Sequence, residues 1–184
     1  MVMQLKPVNG GFQRFIRTTP FILGSLKGEG PEGSRRIDSK IGVPMTDIHF
    51  EYKSALHRAF ARDAVEKEEE RRIRRGKPAY TEEEYNERLD YYLSRIPYKL
   101  FKMRYSSFTR YFGHLVRLGW VKKSGFTEPS TFQDSYPQAP PRVFYRITEK
   151  GRKASTKEIA DPIMTLYHYS RKQRSAKRNS YYRA

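Results

Sequence analysis

The sequence predicts a mainly α-helical protein with one small β-hairpin and extended arms at both ends. Three observations predict it. Apolar residues recur at helical spacing through residues 81–118. A period-2 stretch at 142–147 is matched by a second short strand signal at 120–123. The first 45 residues carry eleven Gly and Pro and no sustained period. Of the 184 residues, 37% are hydrophobic and 31% charged. That composition fits a compact domain of about 80–120 residues with solvated extensions.

Taken in order, residues 1–45 read as a basic arm and linker. Phe21, Ile22 and Leu23 are interrupted by Pro20 and Gly24 and are too short for the apolar core of a secretory signal. Residues 46–79 read as a charged helix, with Thr46 or Asp47 as N-cap and Gly76 and Pro78 as its stop. Phe50, Leu56, Ala59, Phe60 and Ala64 form a short apolar stripe. The 66–75 stretch that follows places acids ahead of bases, the favourable order for i,i+4 pairs.

Residues 80–160 hold the compact domain. Thr81 and Glu84 make a capping-box pattern, after which Tyr85, Leu89, Tyr92, Leu93 and Ile96 repeat at helical spacing until Pro97 ends the helix. A short helical turn is expected at 98–102. Ser106 or Ser107 then caps a helix whose apolar face is Phe108, Tyr111 or Phe112, Leu115 and Leu118, with Gly119 at its left-handed end. Strands are expected at 120–123 and 142–147, the second with Val143, Tyr145 and Ile147 alternating against Arg142, Phe144 and Arg146. A Gly-, Pro- and Ser-rich loop at 124–141 joins them. Thr148 caps a further turn. Asp161 and Pro162 open a last helix, with Ile163, Leu166 and Tyr167 on its apolar side, leading into a basic tail through 184.

Charge narrows the function. Lys and Arg number 37 against 20 acids, a net charge of +17. An excess of that size is the electrostatic footprint of a nucleic-acid binder, and equally of a ribosomal, assembly or membrane-surface protein. The absence of Cys excludes disulfides, thiolate catalysis and Cys-based zinc sites, and fits a reducing cytoplasm, or the nucleoid if the source is prokaryotic. No apolar run approaches the roughly 20 residues that span a bilayer, so no membrane partner is expected. His49, His57, His114 and His168 are scattered, and no phosphate-binding, nucleophile-elbow or dinucleotide motif occurs. Neither catalytic residues, a metal nor a cofactor is expected, and the chain does not read as an enzyme.

The order helix, helix, helix, hairpin, with Leu115-x-x-Leu118-Gly119-Trp120-Val121 and then Tyr145-Arg146-Ile147-Thr148-Glu149-Lys150-Gly151-Arg152, resembles the winged helix-turn-helix DNA-binding domains of MarR- and PadR-like transcriptional regulators. The resemblance covers residues 81–154. In that family the first run ends the recognition helix and starts the wing, and the second closes the wing. The loop at 124–141 is longer and richer in Pro and aromatics than the family's wing, and no effector pocket accompanies the domain, so ligand sensing is not implied.

A helix fits the major groove of B-DNA, about 12 Å wide, and reads base edges with its outer side chains. The expected DNA-binding residues are therefore Ser107, Thr109, Arg110, Gly113, His114 and Arg117, with Arg110 and Arg117 aimed at guanine edges or phosphates. Gly113 serves either close approach to a backbone or packing on a neighbouring helix. Lys122, Lys123, Arg142 and Arg146 are expected to hold phosphates beside the wing. Arg171, Lys172, Arg174, Lys177, Arg178 and Arg183, in a stretch without an acid, form a basic tail for phosphates. Double-stranded DNA is favoured over RNA, and the family's habits add a possible homodimer through residues 46–75 and 163–169. The alternative is a structural subunit of a ribosome, polymerase or replication assembly that binds RNA or protein through its arms.

Overall fold

The computed structural model describes residues 16–30, 33–34, 37–38, 40–97, 105–130, 135, 137–138 and 140–181, with backbone alone for 33–34 and 172–181. The chain divides into two compact units, Met1–Arg17 with Phe50–Arg104, and Thr18–His49 with Tyr105–Ala184. The described residues are mainly helical with a small three-stranded antiparallel sheet.

The second unit begins with helix α1, Thr18–Lys27, inside the range that the sequence places in an extended arm. That expectation is corrected for a physical reason. Pro20 lies in the first turn, where its missing N–H has no intrahelical partner to lose. Gly24 does not interrupt the helix; a Cβ there would lie 3.3 Å from the Glu29 carbonyl oxygen, so the glycine accommodates the returning chain. Ile22, Leu23 and Leu26 are buried. A two-residue ribbon follows, β1 at Glu29–Gly30 and β2 at Gly33–Ser34. Strand β3, Val43–Pro44, then pairs with Tyr145 and Phe144. Gly42, just before it, has φ +82, and a Cβ would collide with the Tyr145 carbonyl oxygen.

Helix α2 runs Met45–Arg74, and the boundary between the units falls within it. Helix α4, Tyr105–Arg117, buries Phe108, Phe112 and Leu115. Its end is a left-handed cap: Gly119 has φ +72, its N–H donates to the Val116 carbonyl at 2.9 Å, and Trp120 N–H donates to the Leu115 carbonyl at 3.0 Å. Leu118, Trp120 and Val121 are buried beside it.

Strand β4 is Val121–Glu128 and β5 is Arg142–Ile147, in sheet order β3-β5-β4. The strand expected at 120–123 thus extends into the range 124–141 expected as loop. Between Lys123↔Tyr145 and Thr127↔Val143 the register shifts, with four steps on β4 against two on β5. Gly125, at φ +92, and the Ser124 hydroxyl, which accepts from Phe126 N–H at 3.1 Å, form that bulge. The bulge masks the period that a plain strand would show. On β5 the simple alternation also fails, because Phe144 is buried with Ile147 while Val143 and Tyr145 are half-buried.

Thr148 caps α5, Glu149–Arg152, and its hydroxyl also donates to the Gly119 carbonyl at 2.6 Å. Helix α6, Thr156–Ala160, starts in a Ser155–Glu158 capping box, and α7, Pro162–Tyr181, opens with Asp161 Oδ1 accepting from Met164 N–H at 3.0 Å. The apolar side expected on α7 is not enclosed. Ile163 and Tyr167 are exposed, as is Met164, while Leu166 is half-buried.

In the first unit, α2 stops at Gly76, φ +73, through Lys77 N–H to the Arg72 carbonyl and Gly76 N–H to the Ile73 carbonyl. Thr46 and Asp47 lie inside its first turn and do not precede it. Helix α3, Glu82–Arg95, has the capping box of Thr81 and Glu84. Its stripe of Tyr85, Leu89, Tyr92, Leu93 and Ile96 is half-buried, with no residue of α3 fully enclosed. Polar pairing runs along the same flank: Arg88 donates to Glu68 Oε2 through Nε at 3.0 Å and Nη2 at 2.7 Å, and Tyr92 OH donates to it at 3.0 Å. Helix α3 falls in this unit, and the described helices of the unit that holds α4 include α1 and the first turn of α2. The helical turn expected at 98–102 lies outside the described residues.

Candidate nucleic-acid interface

Helix α4 separates its two faces cleanly. With Phe108, Phe112, Leu115 and Leu118 buried, Thr109, Arg110 and Arg117 are exposed, and Gly113 and His114 are half-buried. Ser107 is half-buried as well. The separation follows from the sequence: apolar residues at i, i+4, i+7 and i+10 commit one stripe to the core and leave the rest to solvent.

Each expected side chain has a definite state. Thr109 donates its hydroxyl to the Tyr105 carbonyl at 2.8 Å, so its proton is committed within the helix. Arg117 donates from Nη2 to His114 Nδ1 at 2.6 Å. A guanidinium only donates, so His114 accepts at Nδ1 and its neutral ring carries the proton at Nε2. Partial burial, and then the charges of Arg117 and Arg110, push the His114 pKa below its ordinary value. Arg110 forms no ion pair with a described residue. A Cβ built on Gly113 meets nothing within 4 Å, so of the two roles expected for this glycine no packing neighbour within the described chain supports the second.

The ribbon after α4 is less uniformly cationic than its composition implies. Lys122 and Lys123 are exposed on β4, pairing across the ladder with Arg146 and Tyr145, and adjacent strand residues leave opposite faces. Arg142 is already engaged: Nη2 meets Asp47 Oδ1 at 2.6 Å and Nη1 meets Glu128 Oε2 at 3.6 Å. It ties β5 to the start of α2 and to β4. Arg146 is half-buried and lines a cleft with Lys27, Asp38, Gly42 and Arg152. Of the four wing cations expected, Lys122 and Lys123 are thus the two presented outward.

The basic tail is helical. Arg171 is exposed, and α7 continues to Tyr181 through Lys172, Arg174, Lys177 and Arg178. Arg183 lies outside the described residues. One candidate was missed from sequence: Val116, 40% exposed on the outward side of α4. Its signal was its spacing, three residues from Gly113 and six from Arg110, which places a branched apolar side chain on a face otherwise polar.

Among the described residues no group of three His, Asp or Glu is placed to hold a metal ion, and no helix is long and apolar enough to cross a membrane. Compared with known proteins, the chain matches no family model, no curated protein and no solved structure at a significant level.

Proposed function

We propose that the unit of residues 18–49 and 105–184 is a winged-helix module that binds double-stranded DNA, with α4 as recognition helix and β4–β5 as wing, and that the chain acts as a sequence-selective regulator of transcription. The observation that carries the reading is the outward face of α4: open space over Gly113 beside exposed Arg110 and Arg117, with a ribbon bearing Lys122 and Lys123 starting four residues beyond the helix. The order α1, β3, start of α2, α4, β4, β5, with β3 on the far side of β5 from β4, supports it too.

The division of labour follows from chemistry. Arg110 presents a planar fork of donors that matches the O6 and N7 acceptors of guanine in the major groove. Lys122 and Lys123 are point charges suited to phosphates, which fix position without reading sequence. Duplex DNA is favoured over duplex RNA because the A-form major groove is too narrow to admit side chains that read its bases.

Fluorescence anisotropy of the full chain on labelled duplexes tests this. Arg110→Ala is expected to weaken binding to a preferred duplex by about 5- to 150-fold and to flatten the preference among sequences. Lys123→Ala is expected to weaken all sequences alike and to reduce the salt slope by about one. Failure to bind any duplex at low salt, or an Arg110→Ala protein with unchanged affinity and preference, overturns the reading.

A further inference from the structure

We infer that the outward face of α4 is divided, with Arg110 reading a guanine edge on one side and Val116 reading the C5 methyl of a thymine on the other. This rests on the duplex-binding reading above and names the base chemistry that it leaves open.

Each step of three residues turns an α-helix by about 300°, so Arg110, Gly113 and Val116 fan across one face at intervals of about 60°. Gly113 is the middle of the fan, and nothing lies within 4 Å of where its Cβ would be. The helix can therefore sit deep, with its two flanks reaching different bases. On one flank stand the exposed guanidiniums of Arg110 and Arg117, the latter hydrogen-bonded to His114. On the other stand Val116, 40% exposed, and Thr109. The Thr109 hydroxyl proton goes to the Tyr105 carbonyl, so this side chain offers a methyl group and a lone pair outward. An exposed valine on a helix outside the core gains nothing from water. In the major groove the one apolar group that a base pair presents is the thymine methyl, and it distinguishes T·A from the other pairs. The Val116 methyls match that group, and they offer neither a donor for the O6 and N7 of guanine nor an acceptor for the N4 amine of cytosine.

The test uses the full chain and the tightest-binding duplex selected from a random pool. Each thymine of that duplex is replaced in turn by deoxyuridine, which removes the C5 methyl and leaves every hydrogen-bonding group. One such replacement, next to a guanine whose loss is sensed by Arg110→Ala, is expected to weaken binding about fourfold, the value of one buried methyl. In Val116→Ala the same replacement is expected to make no difference, and Val116→Thr, which keeps one methyl, should restore part of the discrimination. Deoxyuridine tolerated at every position, a penalty that persists in Val116→Ala, or a selected pool without preference overturns the inference while duplex binding stands. Absence of duplex binding overturns the inference and the reading beneath it together.

Discussion

Three glycines of the α4-containing unit show how one missing Cβ serves different ends. At Gly151 a Cβ would press into the Trp120 carbonyl oxygen and approach Ile147 Cγ1 at 3.0 Å. The chain entering α5 passes directly over the only tryptophan, so Gly151→Ala is expected to cost about 1–3 kcal/mol, as overpacked cores do. A urea midpoint unchanged from the parent would contradict that packing. Gly119 is set by conformation, since φ +72 suits glycine at the end of α4. Gly113 is neither crowded nor left-handed. Gly113→Ala is therefore expected to stabilise the fold by about 0.5–1 kcal/mol through helix propensity while weakening duplex binding, and urea unfolding beside anisotropy measures both. A variant that gains stability without losing affinity would show that the open surface over α4 is not where DNA lies.

At the scale of elements, α2 and α3 are joined by a charge cluster whose pH dependence has a definite sign. Partial burial alone would raise the Glu68 pKa, but hydrogen bonds from Arg88, Tyr92 and Tyr80 outweigh it and hold the carboxyl below its ordinary 4.5. A carboxyl lowered in the folded state contributes its full stability above 4.5 and loses it as pH falls through the lowered value. The stability difference between the parent and Glu68→Gln should therefore be present at pH 7 and shrink by about pH 3, followed by urea unfolding of the helical signal. A difference that grows toward acid pH would reverse the assignment. The same elements show what a sequence makes legible. The α3 capping box, the glycine stops of α2 and α4 and the buried stripe of Phe108, Phe112, Leu115 and Leu118 are local patterns, and each is read from a few neighbouring residues. Helix α1 was hidden because Pro20 and Gly24 look like breakers until the position of the turn and the approach of Glu29 are known. The far half of β4 was hidden by the bulge at Gly125. Arg142 reads as a free cation in sequence, since its partner Asp47 lies 95 residues away. Val116 went unread because its spacing from Arg110 and Gly113, not its residue type, makes it notable.

For the whole molecule, a net charge of +17 gives a long-range attraction to any polyanion, and that attraction is screened by salt. If six phosphates are engaged, affinity should fall about a thousandfold between about 50 and 200 mM salt. A decline of only a few-fold, read by anisotropy on a random duplex, would mean that the exposed lysines of β4 and the basic end of α7 do not meet the backbone. Charge, however, would draw the protein to any polyanion without deciding how it sits. The central claim is that α4 lies in the major groove, and dimethyl sulfate probing of the selected duplex tests it most directly, because the reagent attacks guanine at N7, in that groove. The full chain is expected to protect at least one guanine N7, with that protection lost in Arg110→Ala and retained in Lys123→Ala at saturating protein. Tight binding with every guanine N7 still reactive would place the helix elsewhere and contradict the account.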